Sequence, residues 1–294
     1  LVVFQYLKIL FSTFNVIKIL QEKKINLVFT TGGYISAPTI IAAKLLRIPV
    51  IIHESNLIPG MVTKNFGFLC NFVLTGFEET NSYLKNCKTI FTGTPLREEF
   101  YESNSLPEWV PKGKGPLLIV MGGSQGAKDI NEIFYEALDF LLSQNFRIVH
   151  IIGENNLNNN SITKSKNYVQ KKFTNRVAAL MQNCDLVISR SGAGTINELI
   201  QTGKPSILIP YPNSKNNHQE KNAMILSSIG GSILINQNKI SKLFFEETLE
   251  RIFKIKLNKG KPKYEILDLM KKNMKKLNTL KSTNEIKKLI NYFL

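Results

Sequence analysis

Residues 189–198, Ser-Arg-Ser-Gly-Ala-Gly-Thr-Ile-Asn-Glu, combine small residues, hydroxyls and a carboxylate at a spacing suited to a phosphorylated sugar. They lie between an apolar run typical of a strand and a helical pattern, and a helix that begins at such a turn offers free N–H groups and a positive dipole end to phosphate. Ala193 and Gly194 would let a ligand reach the backbone, and Thr195 adds a hydroxyl donor. Glu198, one turn further on, can accept hydrogen bonds from sugar hydroxyls. An ordinary strand-to-helix turn with a capping glycine explains the same residues equally well.

Two further glycine-rich turns follow predicted strands, at residues 31–38 and 122–126. In the second, paired glycines would let the backbone close on a phosphate while the Ser124 hydroxyl donates to it. This turn lacks the Lys-Ser/Thr ending of a P-loop and the glycine spacing of an NAD site, which disfavours ATP hydrolysis and NAD binding. Gln219 begins a later helix, and its amide both donates and accepts hydrogen bonds, which suits sugar hydroxyls. Taken alone, Gln219 is explained more simply as a solvated residue of a first helical turn.

Metal chemistry is not indicated by the sequence. The three histidines, His53, His150 and His218, are far apart, and the chain has no Asp-x-Asp pair to hold Mg²⁺ or Mn²⁺ on a diphosphate. We therefore predict no metal and no cofactor, and expect helix dipoles and backbone donors to neutralise a leaving diphosphate. The sequence does not identify a general base. His53 and Glu54 lie at the end of a predicted strand, and either could have a catalytic or a structural role.

Composition restricts the class of protein and its partners. The 294 residues carry a formal net charge of +16 with 43% apolar residues, enough for full cores. We predict no nucleic-acid partner, because no basic patch with interleaved aromatic residues or known binding module is present, and lysine-rich surfaces explain the charge. The cysteines Cys70, Cys87 and Cys184 are too scattered for a disulfide framework, so we expect buried free thiols in a reducing compartment.

Strand and helix patterns alternate in two halves of the chain. Predicted strands cover residues 26–30, 48–52, 72–74, 89–91, 117–121, 147–152, 168–173, 186–189 and 205–210. Residues 101–116 contain several prolines and glycines typical of a linker, and residues from about 239 to the end have a basic helical pattern. The alternation predicts an α/β fold of two Rossmann-like, doubly wound domains facing a cleft, with boundaries at residues 1–105 and 106–294.

Residues 1–24 have apolar side chains at helical spacing with lysines around them. Polar residues interrupt the stripe too often for a transmembrane span, and a strand rather than a cleavage site follows, which disfavours a signal peptide. Two compatible interpretations stay open: a core helix of an α/β domain, or a helix whose aromatics and lysines lie on an anionic membrane surface.

Six segments in order resemble the MurG family of bacterial glycosyltransferases over about residues 1–240. The matching segments are residues 32–34, 53–56, 93–97, 122–126, 189–198 and 218–223. The resemblance implies a GT-B fold, with an N-terminal domain on the acceptor and membrane side and a C-terminal domain that holds UDP-GlcNAc. Each segment alone is weak evidence for the family, but the six segments in this order are specific to it.

The resemblance also implies roles for individual residues. Asn56 and Arg97 correspond to donor-site contacts, Ser124 to a diphosphate ligand, and Thr174 to a backbone contact with uracil. Ala193, Gly194 and Thr195 correspond to the phosphate-side turn, Glu198 to a ribose ligand and Gln219 to a GlcNAc hydroxyl ligand.

The implied reaction is an inverting transfer of GlcNAc from UDP-GlcNAc to the C4 hydroxyl of undecaprenyl-diphosphate-linked MurNAc-pentapeptide, which converts lipid I to lipid II. This hexosyltransferase step serves peptidoglycan and cell-wall synthesis, and through them cell shape and division. The implied location is peripheral, on the cytoplasmic face of the bacterial inner membrane. The family also opens with a βα unit whose Gly-rich loop carries a histidine and a threonine. None precedes Leu1, so we expect a truncated N-terminal domain and reduced activity.

Two alternatives stay open. One is another GT-B enzyme that uses a UDP-sugar, such as a glycolipid synthase or a UDP-GlcNAc epimerase. The other is an inactive, membrane-attached binding fragment.

Overall fold

A computed structural model describes residues 2–123, 126–154, 165–254, 265–277 and 280–294, with side chains at residue 9 and from residue 11 onward. The helices, in chain order, are α1 Val2–Glu22, α2 Ser36–Leu45, α3 Met61–Phe66, α4 Lys128–Ser143, α5 Val177–Asn183, α6 Ala193–Thr202, α7 His218–Ser228, α8 Lys242–Phe253, α9 Glu265–Met274 and α10 Ser282–Asn291. The strands are β1 Val28–Thr30, β2 Val50–Glu54, β3 Phe72–Thr75, β4 Thr89–Phe91, β5 Leu117–Met121, β6 Arg147–Ile151, β7 Tyr168–Lys171, β8 Leu186–Ser189, β9 Ser206–Leu208 and β10 Ser232–Leu234.

The chain divides into two compact units, one of Leu1–Leu96 with Leu280–Leu294 and one of Arg97–Thr279. This division differs from the predicted domains of residues 1–105 and 106–294 at two places. The second unit begins at Arg97, because the short 3₁₀ turn Glu98–Phe100 packs against α5 and α6 of that unit. The last residues of the chain belong to the first unit.

The first unit is built on a parallel sheet whose described strands run in the order β1-β2-β3-β4. Ile52 of β2 lies beside Thr30 of β1 and Val73 of β3. One face of the sheet packs on α1 and α2 through side chains that include Ile40 and Leu20. Strands covered by helices in this way are nearly continuous apolar runs, which explains why the sequence predicted them.

Helix α10 covers the other face of the same sheet. Ile286 packs against Ile51 and Leu74 there, and the Phe293 ring lies 5.9 Å from the Phe72 ring. The apolar side of a C-terminal amphipathic helix is thereby buried on the first sheet. Burial of that side explains why the end of the chain belongs to the first unit.

The second unit is built on a parallel sheet whose described strands run in the order β10-β9-β8-β5-β6-β7. The chain starts in the middle at β5, proceeds outward through β6 and β7, and then crosses back to β8 on the other side of β5. The direction of winding therefore reverses between β5 and β8. In doubly wound folds, ligands bind at the carboxyl ends of the strands at such a switch point.

The core of this unit lies between the sheet and helices α4 and α8. Phe134, Leu141, Phe146 and Phe253 are buried in it, and the Phe146 and Phe253 rings stack edge to face at 4.9 Å. Strand β10 was not predicted from the sequence. The predicted helical tail from residue 239 contains, in its described part, the separate helices α8, α9 and α10. No helix in the described part of the chain combines the length and the apolarity needed to cross a bilayer.

Candidate functional site

The turn between β8 and α6 lies at the switch point of the second sheet. Gly192 is the N-cap residue of α6, and the first four N–H groups of a helix have no partner within it. A Cβ placed on Gly192 or Gly194 would meet no atom within 4 Å, and neither residue has a positive φ. Packing and backbone conformation therefore do not require glycine there. Open backbone at a helix N-terminus has the geometry of an anion site.

The turn between β5 and α4 lies on the other side of the switch point. A Cβ on Gly122 would fall 2.2 Å from the Ala127 nitrogen, and Gly123 and Gly126 have φ of 90° and 81°, so this turn requires its glycines. The Gly126 N–H donates to the Gly123 carbonyl over 3.0 Å, which closes the turn. The predicted diphosphate ligand Ser124 lies outside the described residues.

Glu198 lies one turn into α6 and is partly buried. Burial raises the pKa of its carboxyl to about 7, and the nearby Arg97 guanidinium opposes part of that rise. Arg97 is itself exposed, and its Nη1 donates to the Asn175 carbonyl over 3.4 Å. Asn175 directly follows the buried Thr174, whose hydroxyl accepts a hydrogen bond from the Arg176 N–H. The structure thus brings together Arg97, Glu198 and the Thr174 turn.

Gln219 lies in the first turn of α7 and is bonded to both neighbouring loops. Its Oε1 accepts from the Tyr211 N–H at 2.9 Å, and its main-chain oxygen accepts from the Ser191 hydroxyl at 2.8 Å. The Asn222 amide also donates to the Ser191 carbonyl over 3.4 Å. These bonds join the start of α7 to the turn before α6, and Thr195 lies in the first turn of α6.

Arg190 is a residue of this edge to which sequence reasoning gave no role. It follows β8 directly and is 8% exposed, and its Nη1 lies 3.0 Å from the Ile209 carbonyl oxygen. Its Nη2 lies 3.5 Å from the Asp129 carboxylate in the first turn of α4. A charged residue directly after a buried strand is the sequence signal that could have drawn attention to it.

Asn56 belongs to the first unit, in the loop after β2. The buried Glu54 carboxylate accepts hydrogen bonds from the Asn56 N–H and side-chain amide through Oε1, at 3.1 and 3.3 Å. Its Oε2 accepts from the Gly60 N–H and the Thr63 hydroxyl, each at 2.8 Å. With four donors the carboxylate organises the loop, which favours the structural interpretation of Glu54.

His53 points to the Gly93 carbonyl. Its Nε2 lies 2.8 Å from that oxygen, which also accepts from the Ser282 hydroxyl at 3.0 Å, so this bond lies near the start of α10. Burial lowers the pKa of His53, with opposing effects from the Gly93 carbonyl and from Glu54. In the described residues, no group of three or more histidine, cysteine or carboxylate side chains is arranged to hold a metal ion.

Family models match both parts of the chain. The glycosyltransferase family 28 C-terminal domain matches residues 117–285, and the N-terminal domain of the same family matches residues 3–75.

Relatives match over nearly the whole chain. A protein of Prochlorococcus marinus subsp. pastoris, strain MED4, is 84% identical over 292 residues, 99% of this chain and 80% of the relative. A protein of strain MIT 9515 is 82% identical over 293 residues, with 80% of its length covered. Both are named UDP-N-acetylglucosamine–N-acetylmuramyl-(pentapeptide) pyrophosphoryl-undecaprenol N-acetylglucosamine transferase. The crystal structure of Acinetobacter baumannii MurG superimposes with a TM-score of 0.75 at 24% identity, over 97% of this chain and 80% of that one, which supports the fold.

Proposed function

The chain belongs to glycosyltransferase family 28 and, within it, to the MurG transferases, and from this premise we propose that it transfers GlcNAc from UDP-GlcNAc to lipid I. The two substrates are a nucleotide sugar and an undecaprenyl-diphosphate-linked MurNAc-pentapeptide, and the product serves peptidoglycan synthesis. The proposal rests mainly on the reversal of winding between β5 and β8. At this point of the sheet, two glycine-rich turns each lead into the N-terminus of a helix, where a phosphate can bind.

We assign the nucleotide to the carboxyl edge of the second sheet. The N–H groups of Gly194 and Thr195 and the Thr195 hydroxyl would bind the diphosphate, and the dipole of α6 would stabilise its charge. Glu198 would accept hydrogen bonds from the ribose hydroxyls, and backbone beside Thr174 would bind uracil. Gln219, whose Oε1 is bonded to Tyr211, would offer its amide N–H to a GlcNAc hydroxyl.

Ser124 and Arg97 complete the proposed donor contacts in the second unit, and a donor contact of Asn56 is proposed from the family resemblance alone. In the reaction, the C4 hydroxyl of the acceptor attacks the anomeric carbon of GlcNAc as the bond to UDP breaks, with inversion. Negative charge develops on the leaving diphosphate. Fixed N–H dipoles at the start of α6 would stabilise that charge most in the transition state.

An assay of GlcNAc transfer tests this function. Radiolabelled UDP-GlcNAc, lipid I and the chain are expected to yield labelled lipid II together with UDP, and Thr195→Val is expected to lower the rate by at least about tenfold. Labelled UDP-N-acetylmannosamine formed without acceptor would instead reveal an epimerase. That alternative is not favoured, because the relatives at 84% and 82% identity are named transferases.

We also propose that α1 docks on the cytoplasmic face of an anionic inner membrane. Phe11 and Phe14 are 71% and 66% exposed on this helix, and Lys18, Lys23 and Lys24 are exposed at its C-terminal end. Apolar side chains next to lysines bind the headgroup region of anionic lipid. Such docking would give the enzyme access to a polyprenyl-linked acceptor.

Co-sedimentation with vesicles containing phosphatidylglycerol tests the docking. Phe11→Ser/Phe14→Ser and Lys18→Glu/Lys23→Glu/Lys24→Glu are each expected to reduce the bound fraction, the second only at low salt. The control is Lys85→Glu/Lys88→Glu. It reverses two exposed charges beside β4, which lies at the opposite edge of the first unit's sheet from β1. Equal binding by all variants would rule out docking through α1.

A further inference from the structure

The buried Arg190 guanidinium joins four segments at the carboxyl edge of the second sheet. Its Nη1 lies 3.0 and 3.1 Å from the carbonyl oxygens of Ile209 and Pro210, which follow β9. The same nitrogen lies 2.6 Å from Oε1 of Gln237, in the turn after β10.

Its contacts extend to the first turn of α4. Arg190 Nη2 lies 3.5 Å from Asp129 Oδ2, and the Gln237 amide donates to that same oxygen over 2.9 Å. The Tyr211 ring centroid lies 5.5 Å from the guanidinium carbon. Each of these partners follows the carboxyl end of a strand, so the network lies along the ligand-binding edge of the sheet.

The network touches three of the elements to which the proposed function assigns the nucleotide. Arg190 begins the turn that leads into α6, Asp129 lies directly after the glycine-rich turn of residues 122–127, and Tyr211 donates its N–H to Gln219. A guanidinium is suited to this position because its planar fork reaches several acceptors at once, whereas an ammonium is a point charge.

We infer that Arg190 is a positioning residue for the nucleotide, which holds the N-termini of α4 and α6 and the Tyr211 loop in one geometry. The inference rests on the proposed function and deepens it. Arg190 touches no proposed ligand atom and acts through the backbone of the turns that do. Its replacement should therefore weaken nucleotide binding beyond any effect on folding.

Calorimetric titration with UDP, together with thermal melting, tests the inference on the full chain. Arg190→Lys and Arg190→Met are expected to weaken UDP binding by at least about tenfold, which corresponds to 1.4 kcal/mol. Asp129→Ala, at an exposed position, is expected to weaken UDP binding by a smaller factor. This variant keeps the test decisive if Arg190→Met does not fold.

Lys204→Met is the matched control. Lys204 is also a partly buried cation bonded to a carbonyl, that of Cys184 at 3.0 Å, but it lies beyond the C-terminal end of α6. We expect this variant to lower Tm while UDP affinity stays within about twofold of wild type. Combining Arg190→Lys with Thr195→Val should give a loss of affinity smaller than the sum of the single losses, because both act on the same turn.

The outcomes separate this inference from the proposed function. Wild-type chain that binds no UDP would overturn both. UDP affinity in the Arg190 variants equal to wild type, or within the twofold range expected for Lys204→Met, would overturn the positioning role and leave the proposed function standing.

Discussion

The Ser191 hydroxyl donates a 2.8 Å hydrogen bond to the main-chain oxygen of Gln219, and so joins the turn before α6 to the first turn of α7. Ser191 is fully buried, and Ser191→Ala removes this second donor from an oxygen that also accepts within α7, so the variant is expected to lower the free energy of unfolding by about 0.5–1.5 kcal/mol. Because Gln219 is the proposed GlcNAc ligand, UDP-GlcNAc affinity should fall more than UDP affinity. Urea unfolding and calorimetry measure the two effects.

Ser143→Ala is the control for this prediction, since that exposed hydroxyl also donates to a main-chain oxygen, that of Phe140 at 2.6 Å. It should leave both affinities unchanged. An unchanged ratio of UDP-GlcNAc to UDP affinity in Ser191→Ala would contradict a role of Gln219 in binding the sugar.

Nucleotide binding is expected to depend on the ionisation of Glu198. With a pKa of about 7, this carboxyl is mostly ionised at pH 8 and mostly protonated at pH 6. If ribose binds the carboxylate form, UDP affinity should fall by roughly tenfold from pH 8 to pH 6. Glu198→Gln should bind UDP more weakly than wild type at pH 8, and its UDP affinity should not show this tenfold change. Titration of the UDP phosphates affects the binding of both proteins equally, so the difference between their pH profiles reports on Glu198. Identical profiles for the two proteins would exclude Glu198 from the site.

Replacing the Glu198 carboxyl by a neutral amide is expected to stabilise the folded protein at alkaline pH. Its folded-state pKa of about 7 lies above the ordinary 4.5, so its stabilising contribution is full below pH 4.5 and is lost as pH rises through 7. Glu198→Gln removes that loss and should have a higher Tm than wild type at pH 8, with the difference vanishing near pH 4.5. A lower Tm at pH 8 would contradict the raised pKa.

Glu54→Gln is expected to destabilise the first unit. One carboxylate oxygen becomes an amide NH₂ that faces two donors, the Gly60 N–H and the Thr63 hydroxyl, and the loss should be about 2–3 kcal/mol of unfolding free energy. Glu78→Gln, at an exposed position, is the control for urea unfolding. A loss no larger than that of the control would show that the four hydrogen bonds to Glu54 contribute little.

The buried His150 ring is expected to lower the free energy of unfolding in acid. The ring is fully buried, with Nε2 2.9 Å from Asn131 Oδ1, and burial lowers its pKa from 6.5 to about 3. The stability that comes with the neutral ring is therefore complete above pH 6.5 and is lost as pH falls through 3, at up to about 1.4 kcal/mol per pH unit. His150→Gln should flatten the pH dependence of unfolding in this range by that slope. A slope equal to that of wild type would contradict a neutral buried ring.

Much of the fold could be predicted because its strands are buried on both faces and therefore appear as apolar runs. Strands β5 and β8 were predicted at residues 117–121 and 186–189, where the structure has them. Strand β10 was missed because Ser232–Leu234 is short and follows paired glycines. The sequence could not show to which unit α10 belongs, because amphipathic spacing identifies the buried face of a helix but not the sheet against which that face packs.

The candidate site was predictable only in part, for a similar reason. Turn composition singled out residues 189–198, but the partners of Arg190 come from Asp129 and Gln237, whose proximity depends on strand order. The pKa of Glu198 likewise depends on burial by surrounding elements. All the proposed binding roles stay predictions, namely those of Asn56, Arg97, Ser124, Thr174, Ala193, Gly194, Thr195, Glu198 and Gln219.

The place of the nucleotide in the second unit can be observed in a crystal structure of the chain with UDP-GlcNAc. We predict diphosphate oxygens at about 3 Å from the N–H groups of Gly194 and Thr195 and from the Thr195 hydroxyl, with the ribose hydroxyls on Glu198. Nucleotide bound at the amino ends of the strands, or anywhere that leaves the start of α6 empty, would contradict this prediction.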